Sequence, residues 1–257
     1  MSITCDPIIG LPRVPIEGLE PTVEDLRREM ARLRIDKAIV RHRLCIENGP
    51  YHGNGVLLEE IAGHDELLPA WALTPDGCEP EFDIRATVRR MLAAGVGGKL
   101  AAGVKVAWMD PKAHDFSPLP WCAGPLYDAL RAARMPLLLE YDQVSPDQLH
   151  EVCAAFPELR IILLKAPRLG RNRQLYPLLA LHPEIYLCFC PVFSVHEGFI
   201  DLCERFGSHR WVFGSGYPEA EGGSGVAGLM YAGLSEEVVQ AIASGNITRL
   251  LAEVRDV

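Results

Sequence analysis

Ionisable side chains stand at the ends of several apolar segments of this chain. Arg41 and His42 close the segment that begins at Lys37, Glu140 closes a run of leucines, and Lys165 follows Ile-Ile-Leu-Leu. An arginine or a protonated lysine holds an anion, and a carboxylate or a neutral imidazole accepts a proton near neutral pH. Because side chains alternate along a strand, only one of Arg41 and His42 points to a given face. These residues predict binding or acid-base chemistry at the ends of buried strands.

Other candidates have both a functional and a structural interpretation. His42 has the chemistry of a general base, although a single histidine is more often a hydrogen-bonded structural residue. Asp110 and His114 follow the fourth apolar segment and are candidates for holding a substrate, with a solvated loop as the alternative. His196 follows the seventh segment, where it either faces the same edge or begins a helix.

Two tryptophans and a pair of cysteines complete the candidates. Trp71 and Trp108 are candidates for the aromatic walls of a binding site, and core packing explains them as well. Cys188 and Cys190 are two residues apart, so both point to the same face of a strand. Two thiols are too few for a soft-metal site, which favours buried cysteines without a metal.

The composition is that of a globular protein with ample apolar surface for a core. A chain of 257 residues is at the upper end of what one core supports, so a single domain over residues 1–257 is expected. The 25 basic and 34 acidic residues give a net charge of -9, which argues against nucleic acid as a partner. Residues 1–10 lack the features of a secretory signal, and no apolar run is long enough to cross a bilayer. We expect a cytoplasmic protein whose eight scattered cysteines are reduced and which has no membrane contact.

Short apolar segments alternate with amphipathic segments along the whole chain, a pattern typical of βα units around a parallel sheet. Most of these segments are continuously apolar, which indicates strands buried on both faces. The predicted strands are Ile3–Ile9, Lys37–His42, Leu67–Leu73, Val104–Trp108, Pro136–Tyr141, Arg160–Leu164, Ile185–Cys190 and Arg210–Ser215.

The helices between these strands begin at capping residues. Thr22 precedes an apolar stripe at helical spacing, and Asp25 is placed to bond back to it. Ser145 begins Ser-Pro-Asp-Gln, a capping box with proline at the first helical position, and Ser235 begins the last helix. The glycine-rich segment 218–228 is predicted to be a loop.

Two architectures satisfy this alternation, a closed eight-fold β/α barrel and an open doubly wound sheet. A glycine-rich phosphate loop after the first strand would favour the open sheet. After Ile9 the chain has Gly10-Leu-Pro-Arg, with a single glycine. We therefore predict an α/β fold, a single (β/α)8 TIM-like barrel.

Two motifs in the last third of the chain carry a resemblance to a known family. ERFGSHRWVFGSGYP at 204–218 resembles the erFGxxRxxFGSDyP signature of the amidohydrolase-2 group of the amidohydrolase superfamily, and IASGNITRLL at 242–251 resembles its closing helix. Segments 21–26, 53–58 and 69–75 are weaker matches to its first three βα units. The resemblance covers essentially the whole chain. It implies a barrel, a hydrolase or decarboxylase activity, and a metal, usually zinc, at the C-terminal mouth.

The metal-ligand positions of that family are occupied by other residues in this chain. The resemblance implies two histidines on the first strand, one after each of the fifth and sixth strands, and an aspartate after the eighth. Asp6 and Ile8, Glu140, Lys165 and Gly216 stand at those positions. A protonated lysine has no lone pair to donate, and two carboxylates fall short of a zinc site. We expect no resident metal, with a weak magnesium or calcium site through oxygen ligands as the alternative.

Asp6, Glu140 and Lys165 are expected to line one pocket, because strand ends of such a barrel face its mouth. A lysine between two acids stays protonated and holds an anionic substrate. If it is desolvated, it serves as an acid, a base or a Schiff-base nucleophile. The structural alternative is an ion-pair network that only fills the space of the missing metal.

The resemblance therefore implies a metal-independent hydrolase or lyase that acts on a small carboxylate-bearing molecule. Arg41, Trp71, Trp108 and the loop histidines would then contact the substrate. One alternative is a non-catalytic binding or scaffold protein, favoured by Ile8 and Gly216. Another is a metal bound elsewhere through Asp110, His114 and His196. Barrels of this family often form homodimers, and the sequence shows no exposed apolar stripe that would identify the interface.

Overall fold

Parallel strands alternate with helices along the chain, as the apolar segments predict. The computed structural model describes residues 1–14, 17, 21–75, 83–94, 103–166, 173–190 and 198–256. Its strands are β1 (Ile3–Thr4), β2 (Ile8–Ile9), β3 (Lys37–His42), β4 (Leu67–Ala72), β5 (Val106–Met109), β6 (Leu137–Glu140), β7 (Ile161–Leu164), β8 (Ile185–Phe189) and β9 (Trp211–Phe213). Each predicted strand has its counterpart, with ends that differ by up to a few residues.

The strands form a nearly closed parallel barrel. Neighbours follow the order β1, β3, β4, β5, β6, β7, β8, β9, and β2 extends β1 along the same edge of β3. The Cys5 backbone N–H donates to the Phe213 carbonyl over 2.9 Å, which joins the first strand to the last. The prediction of a TIM-like (β/α)8 fold is confirmed.

Helices cover the outside of the barrel. They are α1 (Val23–Leu33), α2 (Leu44–Glu47), α3 (Pro50–Glu60), α4 (Ile84–Ala93), α5 (Pro120–Ala133), α6 (Pro146–Ala155), α7 (Leu175–Leu181), α8 (Gly198–Phe206), α9 (Gly222–Met230), α10 (Glu236–Gln240) and α11 (Asn246–Ala252), with a π-helical turn at Ala241–Gly245. The predicted caps are present: Thr22 accepts from the Asp25 N–H, Ser145 forms a reciprocal capping box with Gln148, and Ser235 accepts from the Val238 N–H. No helix in the described part of the chain is long and apolar enough to cross a membrane.

The first strand differs from its prediction as one continuous segment. Thr4 pairs with Ala38, and Ile8 pairs with Arg41. Between these two pairs the first strand contains one more residue than β3 does. Such a bulge redirects a side chain, and Pro7 within it has no N–H to donate to a ladder. The break releases Asp6 from the strand pattern and leaves the Asp6 carbonyl available to a side chain.

The glycine-rich segment 218–228 also differs from its prediction. Its second half forms α9, which begins where the Glu221 side chain accepts from the Ser224 N–H over 3.0 Å. Gly222 and Gly225 are buried there, and a Cβ on Gly222 would lie 2.5 Å from the Leu33 side chain of α1. The glycines therefore allow close packing, and only the residues before Gly222 remain a turn.

Candidate functional site

Five charged side chains of alternating sign form a chain across the C-terminal mouth of the barrel. Arg41 of β3 contacts Glu140 at the end of β6 over 2.8 Å, and Glu140 contacts Lys165 after β7 over 3.1 Å. Lys165 then contacts Glu219 over 2.7 Å, and Glu219 lies 3.7 Å from Arg43. We call these residues the mouth chain. The strand ends that the sequence singles out therefore converge, as parallel strands of a barrel require.

Arg41 is the buried end of the mouth chain, with 2% of its side chain exposed. Its second guanidinium nitrogen donates to the Asp6 carbonyl over 2.9 Å, and its carbon lies 5.4 Å from the centre of the Trp108 ring. Burial alone would raise the pKa of Glu140, but Arg41 and Lys165 outweigh it and hold that pKa below its usual range. Glu140 is therefore a fixed anion between two cations.

Lys165 lies towards the solvent side of the mouth chain, with a third of its side chain exposed. Burial alone would lower the pKa of Lys165, but Glu140 and Glu219 outweigh it and raise that pKa. The backbone of Lys165 lies in the left-handed region, with a φ of 52°. That conformation costs a non-glycine residue about 1 kcal/mol or more and is concentrated at functional sites.

The Asp6 carboxylate lies beside the mouth chain and bonds to the loop after β9. One oxygen accepts from the Thr4 hydroxyl over 3.0 Å and from the Ser215 N–H over 2.8 Å, and the other accepts from the Gly216 N–H over 2.8 Å. Burial raises the pKa of Asp6, although these hydrogen bonds and Arg41 oppose the rise. A Cβ on Gly214 would lie 2.5 Å from an Asp6 oxygen, so only glycine leaves room for the carboxylate. Asp6 thus ties the first strand to the last.

Asp110 and His114 lie on the loop after β5, next to the mouth chain. One Asp110 oxygen accepts from the Ala113 N–H over 3.2 Å. Burial raises the pKa of Asp110, and the neighbouring charge of Glu140 adds to the rise. The Nε2 of His114 lies 2.7 Å from the Cys45 carbonyl and so carries the proton, while its buried Nδ1 has no hydrogen-bond partner in the described residues.

Two predicted site residues point away from the mouth. The Nε2 of His42 lies 3.3 Å from Glu60 of α3, and its Nδ1 accepts from the Leu44 N–H over 3.1 Å. Burial lowers the pKa of His42, with Glu60 opposing the shift. Trp71 lines a pocket of about 350 Å³ between α3 and α4. Successive side chains of a strand point to opposite faces, so Arg41 points into the barrel and His42 points out of it.

The remaining candidates are Cys188, Cys190 and His196. Cys188 and Cys190 are buried in β8 and just after it, and burial raises the pKa of the Cys188 thiol well above its usual value. A thiol in this state is a poor nucleophile and a poor metal ligand. His196 lies outside the described residues.

The side chains at the family's metal-ligand positions do not suit a divalent cation. Both oxygens of Asp6 already accept from protein donors, and both oxygens of Glu140 face cations. Lys165 holds its proton, Ile8 is buried and apolar, and Gly216 has no side chain. Within the described part of the chain, no group of three or more His, Cys, Asp or Glu is arranged to hold a metal ion.

Arg43 and Glu219 belong to the mouth chain, but the sequence analysis did not single them out. Arg43 directly follows β3, and Glu219 lies in the turn between β9 and α9. The signal available in the sequence was the same as for Lys165, a charge just beyond a predicted strand. Glu219 was hidden because its segment was predicted as a glycine-rich loop.

Comparisons with known proteins agree with the fold. The amidohydrolase family model matches residues 15–252. No curated protein matches the chain significantly.

Solved structures share the fold at low identity. The structure of 2,6-dihydroxybenzoate decarboxylase complexed with 2,6-dihydroxybenzoate has a TM-score of 0.72 at 15% identity, covering 98% of this chain and 99% of that one. A putative 2-pyrone-4,6-dicarboxylic acid hydrolase from Pseudomonas putida has a TM-score of 0.70 at 16% identity, covering 98% and 97%. An uncharacterized TIM-barrel protein from Bordetella bronchiseptica has a TM-score of 0.69 at 15% identity, covering 98% and 99%.

Proposed function

The chain belongs to the amidohydrolase family, and on that premise we propose that it is an enzyme that decarboxylates or hydrolyses a small carboxylate-bearing molecule without a divalent metal. The reaction would take place at the C-terminal mouth of the barrel, where active sites of this architecture lie. Two of the similar structures are of proteins whose names specify carboxylated substrates, a dihydroxybenzoate and a pyrone dicarboxylic acid. Their names support the substrate class.

The observation that carries the proposal is the mouth chain itself. It sets Lys165, protonated and one-third exposed, where the family's pattern has a metal ligand. A fixed, partly buried ammonium attracts a carboxylate, which is the electrostatic part of what a metal supplies. Because its pKa is raised, Lys165 suits this role better than that of a Schiff-base nucleophile, which requires a neutral amine.

Asp110 is the candidate proton donor. Its pKa is raised while the pKa of neighbouring Glu140 is lowered, and such a divergence separates an acid from a fixed anion. In the described residues, only the Ala113 N–H donates to the Asp110 carboxyl group, which leaves an oxygen for a substrate. His114 would keep the loop that carries Asp110 in place through the Cys45 carbonyl.

These groups account for either reaction with balanced chemistry. In decarboxylation, the bond between the substrate carbon and its carboxylate breaks, carbon dioxide leaves, and the electron pair left on carbon takes the proton of Asp110. Solvent then reprotonates Asp110. In hydrolysis, water adds to the scissile carbonyl, the bond from that carbon to the leaving group breaks, and Asp110 protonates the leaving group. The proton that the added water loses then returns to Asp110 through solvent.

A non-catalytic carboxylate-binding protein is the second candidate. It is favoured by the engagement of both oxygens of Asp6 and both oxygens of Glu140 with protein donors or cations, which leaves neither residue available as a base. In that case the mouth chain would select a ligand and Asp110 would be a buried acid without a reaction.

Turnover of a panel of carboxylates, compared between matched lysine variants, tests the proposal. The panel includes 2,6-dihydroxybenzoate and 2-pyrone-4,6-dicarboxylate, with carbon dioxide release and ultraviolet absorbance as readouts. Lys165→Met should reduce turnover about 100-fold or more. Lys112→Met is the control, because Lys112 is an exposed lysine of the same mouth that contacts the Asp142 carbonyl.

The outcomes separate the two candidates. Loss of turnover in Lys165→Met but not in Lys112→Met supports the enzyme. Carboxylate binding that depends on Lys165, with no turnover of any panel member, supports the binding protein. Turnover that survives Lys165→Met contradicts the role given to the mouth chain.

A further inference from the structure

We propose that Lys165 and Arg43 form a carboxylate-binding subsite that Glu219 fills with its own carboxylate until a ligand carboxylate displaces it. Glu219 would then be a built-in competitor that sets the affinity and charge selectivity of the mouth. The inference rests on the proposed function for the class of ligand. It concerns binding alone and does not require turnover.

Glu219 occupies the position that a ligand carboxylate would take between the two cations. One of its oxygens lies 2.7 Å from the Lys165 nitrogen, and the other lies 3.7 Å from a terminal nitrogen of Arg43. The second distance is too long for a hydrogen bond. The carboxylate is therefore held firmly by the lysine and only loosely by the arginine.

Arg43 has hydrogen-bonding capacity that Glu219 does not use. Its Nε is buried and has no hydrogen-bond partner in the part of the chain that the structure describes. A guanidinium binds a carboxylate best through two parallel N–H donors. A ligand that is not tethered to the backbone can bring its carboxylate closer to the Arg43 guanidinium than the 3.7 Å at which Glu219 lies.

The side-chain exposures of Glu219 and the two cations allow a ligand carboxylate to replace that of Glu219. The Glu219 side chain is 48% exposed, Lys165 is 33% exposed and Arg43 is 19% exposed. The carboxylate thus lies outermost, with the two cations behind it. When Glu219 leaves, Lys165 keeps its contact with Glu140, so the subsite retains its geometry.

Displacement needs only rotation of the Glu219 side chain, because the backbone is held on both sides. The Ala220 N–H donates to the Gly216 carbonyl over 2.8 Å. The next acid, Glu221, caps α9 and contacts Arg32 at 2.5 Å. These contacts fix the turn while the Glu219 side chain projects from it.

Glu221 provides a matched control for Glu219. It lies two residues further on and is also an exposed acid paired with an arginine, but its partner Arg32 is outside the mouth and is already held by Glu29 over 2.7 Å. Removing the charge of Glu221 changes the net charge of the protein by the same amount as removing that of Glu219. Only the Glu219 change removes the carboxylate that occupies the subsite.

The test is the affinity for benzoate, a minimal carboxylate probe, measured by isothermal titration calorimetry on the full chain. Glu219→Gln should bind benzoate about threefold more tightly than the unaltered protein, since an exposed competing pair is removed. Glu221→Gln should bind as the unaltered protein does. Arg43→Gln should bind about tenfold more weakly, with its fold checked by thermal melting.

A crystal structure with benzoate gives a second readout that does not depend on any variant. The benzoate carboxylate should lie between Lys165 and Arg43, with Glu219 rotated out. The inference is overturned by equal affinities in the two glutamine variants, by weaker binding in Glu219→Gln, or by no benzoate binding in any form. If carboxylates bind in competition with Glu219 but none is turned over, the proposed enzyme fails while the subsite stands. If turnover is found and the two glutamine variants bind alike, the subsite fails alone.

Discussion

Two buried arginines, Arg41 at the mouth of the barrel and Arg210 at its base, are held in different ways. Arg210 donates to the carbonyls of Ile185, Leu179 and His182 over 2.9, 2.6 and 2.5 Å. All of these partners are neutral backbone carbonyls, and that of His182 also accepts from the Ile185 N–H over 3.3 Å. Arg210 is thus held by backbone hydrogen bonds that stabilise the fold.

Arg41 instead begins a series of charges that leads outward. Its carboxylate partner Glu140 contacts Lys165, and Lys165 contacts Glu219 near solvent. A buried ion pair contributes little net stability after its desolvation cost, whereas fixed charges at a pocket act strongly on a ligand. We therefore expect the charge of Arg210 to matter for stability and the charges of the mouth chain to matter for function.

The largest effect is expected from Asp110→Asn at the mouth. Asparagine keeps the shape but cannot give up a proton, so turnover should fall about 1,000-fold. Stability should not fall, because the raised pKa of Asp110 means that its charge is unfavourable in the folded protein. Steady-state kinetics and urea unfolding check the two halves. Full activity in the variant would remove Asp110 from the mechanism.

Arg210→Met at the base should instead lower the stability of the protein, with little effect on turnover. Three backbone carbonyls lose the hydrogen bond that Arg210 donates, and we expect the free energy of unfolding to fall by about 3 kcal/mol. Arg249→Met is the control, since this partly exposed arginine pairs with Glu253 and its loss should cost less than about 1 kcal/mol. If denaturant unfolding gave equal losses for both variants, the contrast between the two ends would break down.

The smallest effect concerns acid sensitivity at the base. Burial lowers the pKa of His182, and His150 and Arg210 lower it further; its Nε2 lies 2.9 Å from Nδ1 of His150. The unfolded chain therefore binds this proton more readily than the folded one, so stability is complete above pH 6.5 and is lost as the pH falls below it. His182→Gln should make the unfolding free energy less steep between pH 6.5 and pH 5. An unchanged slope would contradict this.

The fold was accessible from sequence because its determinants are local. Continuous apolar runs such as Ile161–Leu164 define buried strands, and residues such as Ser145 define helix starts. The bulge that frees Asp6 was not predicted, because it depends on pairing with β3, a contact between distant parts of the chain. The sequence analysis also did not predict that glycines of α9 are buried, because their burial likewise depends on contacts between distant parts of the chain.

The candidate site could be predicted only in part from the sequence. The meeting of Asp6, Arg41, Glu140 and Lys165 follows from strand ends that share one mouth. The inward face of Arg41 was not predictable without knowing which residues of β3 face the core, and His42 was an equal candidate. Glu219 required knowing where a turn lies in space, which no local pattern specifies.

We propose that the mouth chain acts in place of a divalent cation. The most direct test is elemental analysis of the purified protein, joined to turnover of its carboxylate substrate before and after exhaustive dialysis against a chelator. The account predicts far less than one divalent ion per chain and the same turnover after dialysis. A full equivalent of bound metal, or activity that is lost on dialysis and restored by zinc or manganese, would contradict it.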